Sequence, residues 1–216
     1  FFGSGQSAAA PTTPSRPLVS LQIKGTMSLL LPDFGDKRAE GIAQMKQVEQ
    51  AGIFLGSPTT LALVFTWHEE NNMKEALTSC VKNYRKYPDN IINNMVMGST
   101  YVYTRRYKLA LETFDRISKV DANNQRVKYW RGLALMRSGQ AEPAIKQFND
   151  YLSGSNLEDY QRAYSFYRLG QAYARQKQWA KAEEHYKLAV KENGHKSAKV
   201  RLDNLKSMKK SGKIKY

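Results

Sequence analysis

Small and bulky apolar residues alternate along this chain at the spacing of one helical turn, and the alternation recurs. Ala76, Ala110, Ala144 and Ala182 are each followed four residues later by Cys80, Phe114, Phe148 and Tyr186. Residues four apart share one helix face. The first three alanines stand 34 residues apart. Gly98 and Gly132 are also 34 apart, each twelve residues before its alanine, and Gly170 with Ala182 repeats the pair after a spacing of 38. A fixed period of this size predicts a stack of helix–turn–helix units. The glycine lets the second helix cross the first closely, the alanine meets it at the crossing, and the bulky residue one turn later fills the groove between them.

Breakers divide the pattern into elements. Ser57-Pro58 opens a helix that runs to about Glu70, and Asn71-Asn72 turns the chain into a second helix from Met73 to about Tyr87. The following units are Asp89–Thr104 with Tyr107–Lys119, Gln125–Ser138 with Ala141–Tyr151, and Leu157–Gln176 with Trp179–Glu192. Ser153–Asn156 reads as a longer loop that absorbs the four extra residues of the last spacing. His195–Met208 reads as a polar capping helix and Lys209–Tyr216 as a flexible basic end. The expectation is an all-α helix–turn–helix solenoid with four units over 57–194 and a capping helix and basic tail over 195–216.

Upstream the pattern is weaker. Residues 21–56 read as a degenerate helical pair: an apolar run Leu21–Leu31, a break at Pro32–Gly35, then a helix capped by Asp33 or Asp36 with Ile42, Met45 and Val48 at helical spacing. Gly41 stands 35 residues before Ala76, as a worn copy of the same small position. Residues 1–20, with three prolines among small residues, read as a flexible arm or linker. A first residue of Phe1 reads as a processed chain or a piece of a longer one.

Composition narrows the class. The chain has 216 residues, 41% hydrophobic and 11% aromatic, which suits a folded domain. The longest apolar stretch, Leu61–Phe65, is a buried helix face and is far too short to span a membrane. The single cysteine, Cys80, falls at a packing position. His68, His185 and His195 show no ligand spacing, so neither a metal nor another cofactor is expected. Phosphate-loop, serine-nucleophile and zinc-protease motifs are missing, and the carboxylate pairs Glu69-Glu70 and Glu183-Glu184 point about 100° apart on a helix. No enzyme is expected. The net charge of +15 favours an acidic partner, and residues 195–216 hold eight Lys or Arg against one Asp.

The repeat resembles the tetratricopeptide repeat. The last unit carries Phe166, Leu169, Gly170, Tyr173, Ala182, Tyr186 and Ala189 at the positions of that motif. Residues 91–124 match through Gly98, Tyr101, Ala110 and Phe114, and 125–156 through Gly132, Leu135, Ala144 and Phe148. Residues 57–90 match through Trp67, Ala76 and Pro88, with Val64 where glycine is expected. The resemblance implies a right-handed superhelix whose concave groove holds peptides or helices of partner proteins, without catalysis. The run from Gly41 to Asn90 is also similar to exported or membrane-associated bacterial members of the family, which implies a periplasmic-side location over a cytoplasmic one.

Repeat phase then places candidate groove residues on the first helix of each unit: Phe65, Met95, Tyr103, Arg126, Tyr129, Met136, Arg137, Tyr164, Tyr167 and Arg175. Tyr and Arg are favoured interface anchors, and Met adapts its shape. The Lys/Asn/Arg clamp by which some family members hold acidic chaperone tails is not matched: its early positions hold Met95, Ser99 and Trp130, and only Arg168 is of the right type. The function expected is a protein-binding scaffold within a larger assembly. The alternative is a nucleic-acid-associated subunit, with contact through the basic tail at Lys206, Lys209, Lys210, Lys213 and Lys215, which also suits an anionic membrane surface. Self-association through the end repeats is a further expectation.

Overall fold

The computed structural model describes residues 37–52, 56–154 and 156–216. The expected arm over 1–20, the apolar run Leu21–Leu31 and the break before Asp36 lie outside the described residues. The chain divides into two units, 1–43 and 44–216. The described helices are α1 (Arg38–Ala51), α2 (Gly56–Glu69), α3 (Met73–Lys86), α4 (Ile91–Tyr103), α5 (Tyr107–Val120), α6 (Gln125–Arg137), α7 (Ala141–Leu152), α8 (Asp159–Arg175), α9 (Trp179–Asn193) and α10 (Lys196–Lys210). Among the described residues there is no strand, and no helix is long and apolar enough to cross a membrane.

From α2 onward the helices pair as α2–α3, α4–α5, α6–α7 and α8–α9, each second helix packs on the next first helix, and α10 closes on α9. The first helices α4, α6 and α8 also touch one another in turn, whereas successive second helices make no comparable contact. Residues 44–216 are therefore an all-α helical-repeat solenoid with first helices on the inner side.

The small–bulky alternation sets the packing distance. A Cβ built on Gly132 would lie 3.0 Å from the Phe148 ring, and one on Gly170 would lie 2.5 Å from the Tyr186 ring. Gly98 faces Phe114 still more tightly. Ala76, Ala110, Ala144 and Ala182 are all fully buried. In the first pair the sizes are exchanged: Val64 takes the glycine position and Cys80 the ring position, and both are buried.

The four extra residues of the last spacing lie in α8, not in the Ser153–Asn156 loop. The caps Asn90, Asn124 and Glu158, which precede α4, α6 and α8, remain 34 apart. Helix α8 has 17 residues where α4 and α6 have 13. Four residues make close to one turn of 3.6, so Gly170 keeps its face toward Tyr186. The added turn is tied down by Arg162, which donates to Glu192 Oε2 at 2.7 Å and to the Leu157 carbonyl at 2.9 Å.

The turn within each pair follows one geometry. Asn71, Arg105, Gly139 and Lys177 adopt left-handed backbone, with φ of 56°, 60°, 91° and 58°. The next residue's N–H then reaches back to the carbonyl of Trp67, Tyr101, Leu135 or Tyr173, which satisfies a carbonyl the helix end would leave open.

The chain end is not the loose basic segment expected. Gly212 reverses the chain at φ 71° and Lys213 N–H donates to the Met208 carbonyl. Ile214 is thereby buried among Tyr186, Leu202 and Leu205. The Tyr216 hydroxyl donates to Glu183, and Lys209 Nζ sits 4.0 Å from the Tyr216 ring centroid. Burying one isoleucine side chain is worth about 1.5–3 kcal/mol, enough to pin a short tail.

Candidate functional site

Acidic residues are excluded from the interior of the inner helices. Helices α4 and α6 contain no Asp or Glu, α2 has only its last residue Glu69, and α8 only its first residue Asp159. Every second helix carries acid within its length, through Glu75, Glu112, Glu142 and Glu183 among others. Arg126, Lys128, Arg131 and Arg137 lie on α6, and Arg162, Arg168 and Arg175 on α8.

Aromatic rings run along the same side. His68 packs edge-on to Tyr103 with centroids 5.1 Å apart, and Tyr103 to Trp130 at 5.7 Å. Tyr129 continues the series against Trp130 at 5.8 Å. The Arg137 guanidinium lies 5.6 Å from the Tyr103 centroid. At the far end Tyr167 stacks on His195 at 4.6 Å, Tyr164 meets the same ring edge-on at 4.7 Å, and Arg168 lies 5.2 Å from the Tyr167 centroid.

Burial and mutual charge shift the ionisable groups. Burial, then the neighbouring Tyr129, holds the Tyr103 hydroxyl protonated beyond the ordinary tyrosine range. Burial, then the like charge of Arg168, lowers the affinity of Arg137 for its proton. Burial lowers that of His68, and burial with Arg168 lowers that of His195. The neutral His68 ring has a clear role: Thr100 gives its hydroxyl proton to the Val96 carbonyl, so His68 Nε2, 3.0 Å away, donates to Thr100 Oγ1.

The structure divides the expected groove residues. Tyr103 and Arg137 meet in one cluster with Tyr129, whose ring also packs on the buried Phe148 and Tyr151 of α7, and Tyr164 lies in a second cluster with His195 and Tyr167, the last buried against Tyr186. Met95 and Met136 do not line it: at 9% and 3% exposure they belong to the core, because adjoining helices cover their side of the first helices. Arg137 donates to the Val102 carbonyl at 3.4 Å, and Arg175 donates to the Met136 carbonyl. Each thus ties the end of one inner helix to the end of the preceding one, a stacking role beside any binding role. Phe65 is 56% exposed on α2 and Arg126 is exposed at the start of α6. Lys206, Lys209, Lys210, Lys213 and Lys215 are all exposed at the C-terminal end.

Repeat phase misses three groups, the first being Trp130, whose ring lies between those of Tyr103 and Tyr129. His195 precedes α10, outside the repeat, yet its ring joins the inner surface. Arg168 enters the sequence reading only as a clamp position, yet its guanidinium lies over the Tyr167 ring. The lack of acid over α4 and α6, readable along the sequence, marks the side those helices share but singles out none of these residues. Among the described residues no group of three or more His, Cys, Asp or Glu is placed to hold a metal ion.

Tetratricopeptide-repeat family models match residues 95–156 and 163–195. Solved structures of similar fold include MamA MSR-1, 22% identical over 73% of this chain and 87% of that chain, with a TM-score of 0.56. TTC0263, a thermophilic TPR protein of Thermus thermophilus, is 15% identical over 87% of this chain and 97% of that chain, with a TM-score of 0.64. The APC/C hetero-tetramer Cut9–Hcn1 is 13% identical over 81% of this chain and 34% of that chain, with a TM-score of 0.68. At these identities the likeness is one of fold. No curated protein sequence matches the chain. With the glycine–ring crossings that build them, residues 95–156 and 163–195 are tetratricopeptide repeats.

Proposed function

We propose that this protein is a non-catalytic interaction scaffold that holds a peptide or helix of a partner protein against the inner side of α4, α6 and α8. The observation that carries the reading is a pair of ring clusters, His68–Tyr103–Trp130–Tyr129 and Tyr164–His195–Tyr167, with Arg137 beside the Tyr103 ring and Arg168 beside the Tyr167 ring. Aromatic and arginine side chains give large contact area at low entropic cost, which suits binding. The matched repeats support a scaffold, since they generally serve protein interaction rather than chemistry.

Photo-crosslinking tests it without removing a packed ring. Benzoylphenylalanine is placed at Tyr103 or Tyr164 on the inner side and at Leu109, which is 41% exposed on α5. Both inner positions are expected to capture the same protein from nuclease-treated extract, and Leu109 none. Capture from Leu109 alone sinks the groove reading.

A second reading has its own support. Lys196, Lys199, Lys206 and Lys210 are exposed on α10, with Lys213 and Lys215 beyond it, and they suit a polyanion backbone. Retention on nucleic acid that disappears as salt is raised, and on charge reversal of Lys206 and Lys210, is the outcome that favours it.

A further inference from the structure

We propose that α10 and the folded-back tail form a preorganised cationic face that docks on an anionic lipid bilayer. The face lies apart from the groove and does not depend on the groove reading.

The tail turns a run of charge into a face. Behind the reversal at Gly212, Lys213 N–H donates to the Met208 carbonyl, and Ile214 is buried in the cluster of Tyr186, Leu202 and Leu205. Lys213 and Lys215, exposed on either side of Ile214, are therefore held beside α10 and do not trail from it. On α10 itself Ala198, Leu202 and Leu205 are buried. Lys196, Lys199, Lys206 and Lys210 share one sector of roughly 80° clear of them, at 100° per residue. Lys209 sits over the Tyr216 ring at 4.0 Å and is roughly 60° around the helix from Lys206, which puts the tail on the lysine flank. No other helix packs on that flank among the described residues, since α10 packs on α9.

The charge on this face is unanswered. Among the described residues none of Lys196, Lys199, Lys206, Lys210, Lys213 and Lys215 makes an ion pair, whereas Lys82 meets Glu49, Arg131 meets Asp115, Arg162 meets Glu192 and Lys187 meets Glu183. Asp203 is the one acid in residues 195–216. Lysines held this close repel one another, and an anionic surface relieves the repulsion at all of them together.

The residue types favour a bilayer over a nucleic acid. Single strands bind by stacking bases on open aromatic rings, and the rings at this end, His195 and Tyr216, are already engaged by Tyr167 and Lys209. Seven of the eight basic residues in 195–216 are lysines, compact point charges that suit a plane of mobile headgroups, and only Arg201 could fork onto a fixed phosphate. Val200, 60% exposed one turn from Lys196, adds an apolar group beside the lysines, which suits the headgroup boundary of a bilayer.

The test is co-sedimentation of the full chain with vesicles of phosphatidylcholine alone and of an equal mixture with phosphatidylserine. Binding is expected only to the mixture, and should fall as salt is raised. Each lysine near such a surface is worth about fivefold in affinity, so Lys206→Gln combined with Lys210→Gln should weaken binding about 25-fold. Asp203→Asn should strengthen it. Lys119→Gln combined with Lys146→Gln removes the same charge from exposed positions on α5 and α7, and should change binding by less than about twofold because salt screens distant charge. Equal weakening by the two pairs reduces the effect to net charge and overturns the face. No sedimentation with the mixture overturns the bilayer as partner. A single-stranded RNA that binds more tightly than the mixture, and loses affinity on the α10 pair, overturns the proposal in favour of a polyanion. The Tyr103 and Tyr164 crosslinks test the groove separately, so neither failure implies the other.

Discussion

His195 stacks on Tyr167, with ring centroids 4.6 Å apart and planes 26° from parallel. The same imidazole caps α10 through Nδ1, so one neutral ring joins the capping helix to the inner surface. Protonation places a hydrogen on the capping nitrogen and a charge beside Arg168.

The pH dependence follows. The folded chain lowers the proton affinity of His195, through burial first and Arg168 second. A group depressed in this way binds more protons unfolded than folded, so stability rises with pH across its titration. The contribution is complete above the ordinary histidine value near 6.5 and is lost as pH falls through the lower folded value. His68, lowered by burial, acts with the same sign. Thermal melts between pH 7.5 and 5 are expected to drop, with a shallower slope for His195→Asn, whose cap does not titrate. An unchanged slope contradicts the neutral-cap assignment.

The glycine crossings are expected to resist even one methyl group. Gly170→Ala brings a Cβ to 2.5 Å from the Tyr186 ring, and such overpacking typically costs about 1–3 kcal/mol. Gly41→Ala in α1 is the control. No atom lies within 4 Å of the added Cβ, and relief of glycine's excess entropy should stabilise that helix by roughly 0.5–1 kcal/mol. Urea denaturation of the two variants should shift the midpoint in opposite directions.

The left-handed turn positions make a second pair. Lys177 holds φ 58°, a conformation that costs a residue with a Cβ about 1–2 kcal/mol. Lys177→Gly should therefore be neutral or stabilising by up to about 1 kcal/mol after glycine's own entropy. Gly139→Ala, at φ 91°, should destabilise by about 1 kcal/mol or more. Calorimetric melting temperatures would decide both signs.

Cys80 should be inert while the chain is folded. Burial raises its thiol to about 11, against a smaller opposite effect of the Thr100 hydroxyl. Thiolate is the reactive form. A chromogenic disulfide reagent at pH 8 should label it only in denaturant. Fast labelling of the native chain would mean that α3 and α4 open at Thr100, 3.4 Å from the sulfur.

Much of this molecule was legible because its packing is local. Each crossing uses residues within one period, so Gly132, Ala144 and Phe148 announce their own contact through spacing alone. Turn positions, helix order and the type of repeat followed from the same recurrence. Charge was legible too, since acid is missing from the whole length of α4 and α6.

Contacts that cross from one unit to the next required the folded chain. Spacing does not say that Arg137 and Arg175 reach back to Val102 and Met136, or that adjoining helices bury Met95 and Met136. It gives a shift of four residues but not its place, because an added helical turn and a longer loop have the same length in sequence; only the caps at Asn124 and Glu158 locate it in α8. The ring of His195 on Tyr167 and the docking of Ile214 join positions outside the repeat to positions within it. A periodic sequence encodes each layer and its neighbour, and where the period ends, proximity is decided by three-dimensional packing.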